Sequence, residues 1–190
     1  MGGLLTLSRL IDRVNETIGK AVSWLILVSV LVSATNATIR KVFNTSSNAW
    51  LELQWYLFGA AFLGAAAYTL QKNEHIRIDI LYGALPRRVQ HWIDLLGHLL
   101  FLMPFVILTI YFLVPYVELS FRQGEMSTNA GGLILWPAKA LLLVGFVLLF
   151  TQGVSEIIKK IGVMRGQLPD PHAEGGHDHA ADLLGEGEVR

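Results

Sequence analysis

Four blocks of mostly apolar residues divide this chain, each bracketed by polar or charged positions. A helix that crosses a bilayer needs about 20 such residues at about 1.5 Å rise each. The blocks cover residues 21–39, 50–70, 92–117 and 133–158, and all four have the length. Trp24, Trp50, Trp55, Trp92 and Trp136 stand near block ends, where amphipathic rings settle at the boundary of lipid and water. The pattern predicts an all-α membrane protein with four transmembrane helices.

Two flanking segments follow other rules. Leu4, Leu7, Ile11, Val14 and Ile18 recur every three or four positions, with Arg9, Asp12, Arg13, Glu16 and Lys20 on other faces. That spacing makes an amphipathic helix. It either lies in the membrane interface or simply extends the first span. A cleaved leader is the rival for the first block, because Ser33, Ala34 and Ala37 follow its apolar core. Asp12 and Glu16 do not suit a short basic leader, so the block is expected to remain as a span. Residues 166–190 are rich in Gly, Pro, acids and His and cannot bury enough apolar surface to fold. The expectation is a membrane domain over 1–165 and a disordered tail over 166–190. His172, His177 and His179 in that tail lack a rigid scaffold or a thiolate, so a solvated tail is favoured over a metal site.

Composition sharpens this picture at three points. Charged residues are 16% of the chain, against roughly a quarter in soluble domains, and hydrophobic residues are 53%. There is no cysteine, which excludes disulfides, thiolate metal sites and cysteine nucleophiles. A net charge of zero argues against a nucleic-acid binder with a basic face.

Charge position then predicts orientation. Arg9, Arg13, Lys20, Lys72, Arg77, Arg87, Arg88, Lys159, Lys160 and Arg165 flank one side of the four blocks; Arg40, Lys41 and Arg122 flank the other. Cytoplasmic segments collect Lys and Arg, so both termini are expected in the cytoplasm.

Polar residues inside or beside the spans are few. Glu52 and Gln54 open the second span, and Lys139 lies about two turns into the fourth, all toward the outer side. Glu52 and Lys139 either pair or stand separately, with Lys139 reaching the interface alone. Asp94 and His98 lie one turn apart at the inner start of the third span, with Arg87 and Arg88 in reach. A proton relay would need ionisable groups through the whole depth, and the central parts of the spans are apolar or small, so a structural polar cluster is expected. Gly59, Ala60, Ala61, Gly64 and Ala65 place small residues four apart, a face on which helix backbones approach closely. Pro104 removes a backbone bond within the third span, and Pro137 sits near the start of the fourth. No catalytic, cofactor or metal residues emerge.

Three motifs carry a resemblance. KNEHIRIDILY at 72–82, WLELQWY at 50–56 and GGLILWPAK at 131–139 occur in the order and spacing of the small membrane subunit of TRAP transporters, the DctQ family. The resemblance covers nearly the whole chain except the tail. It implies a sodium-coupled, three-part importer of the bacterial inner membrane. A periplasmic solute-binding protein delivers a carboxylate-type solute to a large membrane subunit, which holds the substrate and sodium sites. The small subunit packs beside the large one and helps dock the binding protein. His75, Arg77 and Asp79 match the family's cytoplasmic loop signature, implying a role in holding the turn between spans two and three. The plainer reading of that loop is positive-inside charge alone. Glu52, Gln54, Trp136 and Lys139 match the outer side, near the implied docking surface. The outer-loop stretch from Glu125 to Lys139 resembles a branch labelled for mannitol or chloroaromatic compounds, whose neighbours go with 2-oxo or other organic acids.

Two other classes compete. A self-sufficient small four-span transporter would need a carboxylate near mid-depth, and Glu52 is too close to the edge. A membrane enzyme would have to be built from His75, Asp79, His91, Asp94 and His98, which lack compact ligand spacing.

Overall fold

A computed structural model describes residues 2–45, 47–72 and 85–169 of the chain. Four helices fill them: α1 (Gly2–Phe43), α2 (Asn48–Lys72), α3 (Arg87–Gln123) and α4 (Trp136–Met164). No strand occurs among the described residues; one isolated bridge joins Met126 to Ile134 across the α3–α4 loop.

Side-chain contacts fix the directions. Gly64 of α2 meets Val22 of α1, and Gly19 of α1 meets Tyr68 of α2, so these helices are antiparallel. Gly145 of α4 meets Leu63, Gly153 of α4 meets Met103, and Phe146 stacks edge-on against Phe105 at 6.1 Å. Helix α4 therefore touches each of the other three, while α3 packs chiefly on α4. The start of α1 and the end of α4 meet at one end of the bundle, the termini end. The α1–α2 and α3–α4 connections lie at the other, the loop end.

The burial pattern runs opposite to that of a soluble bundle. Wholly enclosed side chains include Gln152, Asn15, Ser8, Ser120 and Ser155, whereas Trp55, Phe62, Phe101, Tyr111 and Phe112 point outward. Exposed apolar surface on this scale is stable only where lipid or another protein covers it. Helices that bond most of their backbone groups internally suit a hydrocarbon environment.

Among the described residues three helices are both long enough and apolar enough to cross a membrane: α1, α3 and α4. The expected fourth span is corrected here. Helix α2, at 25 residues, has the length but not the apolarity. Gly59, Gly64 and a run of alanines carry little hydropathy, and Gln54 and Thr69 dilute it further. The N-terminal amphipathic segment is also resolved. It is no separate interfacial helix but the first part of α1, which runs unbroken for 42 residues, about 63 Å. Its polar side chains Ser8 and Asn15 face inward, and Leu7, Leu10 and Val14 face outward.

Helix α3 contains a wide π turn over Gly97–Leu102, in which the Met103 amide bonds the His98 carbonyl five residues back. It ends two residues before Pro104, whose ring cannot donate a backbone hydrogen bond. Beyond α4 the chain turns back, with Gln167 N–H donating to Gly162 O at 2.9 Å. The expected tail beyond residue 169 lies outside the described residues.

Candidate functional site

Polar chemistry is concentrated at the two ends of the bundle. At the termini end, α1 presents Ser8, Asp12 and Asn15 at helical spacing, and α4 answers with Gln152, Ser155, Glu156 and Lys159. Gln152 is fully buried and central. Its Nε2 donates to Asp12 Oδ1 at 2.8 Å and Glu156 Oε1 at 2.9 Å, and its Oε1 accepts from Asn15 Nδ2 at 2.7 Å. Because both carboxylates must accept, the orientation of each amide is fixed, and Asn15 Oδ1 is left without a donor. Ser155 Oγ lies 2.7 Å from Asp12 Oδ1 and 2.7 Å from Ser8 Oγ. Lys159 Nζ reaches Asp12 at 3.1 Å and Glu156 at 2.6 Å. One residue on, Lys160 pairs with the buried carboxylate of Asp94 on α3 at 2.5 Å. A single turn of α4 thus ties α1 and α3 to itself.

At the loop end one carboxylate gathers a loop. Glu52, in the first turns of α2, accepts from Ser127 Oγ, from Asn129 Nδ2 at 2.9 Å and from the Leu133 amide at 2.6 Å. Asn48 donates to Ala130 O at 2.9 Å and Tyr56 to Ile134 O at 3.1 Å. Glycine is required at 132, where a Cβ would stand 2.6 Å from Ser127 Cβ and 2.8 Å from Glu52 Oε1. Gly131 takes φ +69°, the left-handed conformation that favours glycine. The GG pair of the motif is therefore what lets the loop close on Glu52.

Lys139 does not pair with Glu52. It bonds Glu125 and places its ammonium 3.9 Å from the Tyr116 ring centroid. The Lys139 ammonium beside Glu125 holds that carboxyl below the usual carboxylate range. Trp136 packs edge-on against Phe121 at 5.2 Å. Gln54 offers its backbone carbonyl to Ser29 Oγ at 3.2 Å.

A family described as tripartite ATP-independent periplasmic transporters, DctQ component, matches residues 29–162, more than half of the chain. The chain belongs to that family. No curated protein matches it. As a DctQ component it is a small membrane subunit of a TRAP transporter, a part of a transport system and not a member of an enzyme family. The family's three-part organisation implies a large membrane subunit and a periplasmic binding protein as partners.

Of the residues singled out in the sequence, Glu52 and Gln54 lie on one helix at the loop end, with Trp136 and Lys139 across from them on α4. His75, Arg77 and Asp79 lie outside the described residues. Gly64 is buried against Val22, Ala60 is half-buried, and Gly59 borders an open groove with Ser29, Trp55 and Phe58. The His98 ring nitrogen meets the backbone oxygen of Asp94 at 2.6 Å rather than its carboxylate. Sequence reasoning missed Ser8, Asn15, Gln152 and Ser155 altogether. A detectable sign was present: polar residues three or four apart on both α1 and α4 form complementary stripes.

Proposed function

We propose that this chain is the scaffold subunit of a sodium-coupled TRAP importer for organic acids of the carboxylate or 2-oxo acid class. It packs against the large transport subunit, which carries the sodium and substrate sites, and helps dock the periplasmic binding protein. The observation that carries this reading is the middle of the bundle. Ala61, Gly64 and Ala67 of α2, Gly145 and Gly153 of α4, and Met103 and Val106 of α3 fill it with small or apolar side chains. Among the described residues the two polar networks stop at the ends, and a solute path needs polar groups at mid-depth.

Helix α2 crosses the membrane with the other three in this reading. It lies antiparallel along α1 and contacts α4, so its alanine-rich face meets protein rather than lipid and needs less hydropathy. Both termini are cytoplasmic, following the Lys and Arg bias of the flanking segments. The loop ordered by Glu52 then faces the periplasm, on the side from which a binding protein arrives.

The test is reconstitution. The tagged chain is purified from its own host and its companions identified, and solute uptake is measured in liposomes with and without the large subunit. Co-purification of a large multi-span protein, with sodium-driven uptake only when that protein is present, supports the proposal. Sodium-driven uptake by this chain alone overturns it.

A further inference from the structure

We propose that the termini end of the bundle carries a seat for anionic phospholipid headgroups, built from Arg9 and Arg13 of α1 beside the apolar strip of Leu7, Leu10 and Val14. Arg9 and Arg13 stand four residues apart, so they share a face of α1, and both are exposed. Leu10 and Val14 occupy a neighbouring face and are also exposed. The inward face belongs to Ser8 and Asn15 and is taken up by α4. Helix α1 thus has three faces here: polar toward the bundle, apolar outward, and basic beside it.

The charges at this end do not cancel locally. Asp12 and Glu156 are held by Lys159, Glu16 by Lys20 with Lys72 at 3.9 Å, and Asp94 by Lys160. Each of these acids is committed to a lysine, and among the described residues no carboxylate pairs with Arg9 or Arg13. Arg9 spends its Nε on the Leu5 carbonyl at 3.3 Å, which leaves its terminal nitrogens outward. Two guanidinium groups next to an apolar strip match a phosphodiester with its acyl chains, because guanidinium pairs bidentately with phosphate oxygens.

The vertical arrangement agrees. Lys159 and Lys160 are adjacent on α4, so their partners Asp12 and Asp94 stand at one level. Three residues below Asp12 is Arg9 and six below Asp94 is Arg88, offsets of about 5 Å and 9 Å. Trp92, Ile93 and Leu96 of α3 point outward just above Arg88, in the order of a headgroup layer followed by acyl chains. From Arg9 to Arg40 along α1 is about 46 Å, close to the 40–45 Å of a bilayer with its headgroups. Arg9 and Arg13 also precede the family-matched stretch of residues 29–162, so the seat is not a property that the family match carries.

The test uses the full-length chain without any partner, so its failure is separate from that of the scaffold reading. The chain is reconstituted in phosphatidylcholine bilayers containing spin-labelled phosphatidylglycerol or spin-labelled phosphatidylcholine, and the protein-bound fraction of each label is measured. Wild type is expected to prefer phosphatidylglycerol. Arg9→Gln and Arg13→Gln should each reduce that preference by up to about five-fold, the factor equivalent to about 1 kcal/mol per basic residue at an anionic surface. Arg122→Gln, at the loop end and paired with Glu118, should leave it unchanged. Raising salt to about 1 M, where screening acts over about 3 Å, should remove most of it. No preference in wild type, or an unchanged preference in the double variant, overturns the proposal.

Discussion

At the termini end, Gln152 sits between side chains of two regular helices, and its partners Asn15 and Asp12 come from a segment more than a hundred residues away in the chain. At the loop end, Glu52 lies on a helix, and its partners Ser127, Asn129 and Leu133 all come from a single loop. The first network is buried and every member is fixed by helix geometry. The second is half-exposed and orders a segment that has no regular structure of its own. Loss of a buried hub leaves several groups desolvated without partners, whereas loss at a loop frees groups that water can satisfy. The termini end should therefore govern global stability, and the loop end local order.

Gln152→Leu would strain this contrast most. It removes both donors and the acceptor of the hub, stranding the Asn15 amide while Asp12 and Glu156 keep Lys159, and is expected to cost roughly 2–3 kcal/mol, read as a lowered melting temperature in detergent. A melting temperature equal to wild type would show that water enters the network freely. Gly132→Ala is next. Its methyl group collides with Ser127 and with the Glu52 carboxylate, so about 1–2 kcal/mol should be lost, confined to faster amide exchange over residues 124–135. If exchange also rises in α1, the ends are not independent. Combining the two substitutions sharpens that point: their effects should add within about 0.5 kcal/mol, as for distant sites with no shared partner.

The smallest expected effect is acid sensitivity of the loop end. Glu125 has its folded-state pKa below the ordinary 4.5, so its pairing with Lys139 stabilises fully above that value and is lost as pH falls through the lowered one. Tryptophan emission includes Trp136, which stands three residues before Lys139 at the start of α4, and should change on acidification below about pH 4.5. Glu125→Gln should abolish the change. Persistence in that variant would assign the titration to another group.

Spans were legible because hydropathy and length are properties of the chain itself. The spans within α1, α3 and α4 follow directly from the apolar blocks. Helix α2 falls short of the hydropathy of a span for the opposite reason: its alanines and glycines make it a packing helix, and packing lowers the hydropathy that a span needs. Asp12 could be seen as charged, but its inward direction depended on α4, since a polar stripe faces water or a partner according to what lies beside it. Glu52 was visible as a boundary carboxylate, yet its partners depend on how the loop folds back through Gly131 and Gly132. Sequence distance alone could not have paired Lys139 with Glu125 over Glu52.

The wide turn in α3 has a consequence for how this helix tolerates change. Below it, Gln90 and Asp94 face the bundle; above it, Met103 and Val106 do. A regular helix carrying Asp94 inward would next turn residues 101 and 102 inward, but Phe101 points outward and the inward position is taken by Met103. The turn acts as a phase shifter, absorbing one residue so that two stripes of different rotational setting both meet α4. Forcing Gly97–Leu102 into a regular α-helix with all of its residues kept would put Asp94 and Met103 out of step. Either Lys160 would lose its carboxylate, or the methionine would leave the notch at Gly153.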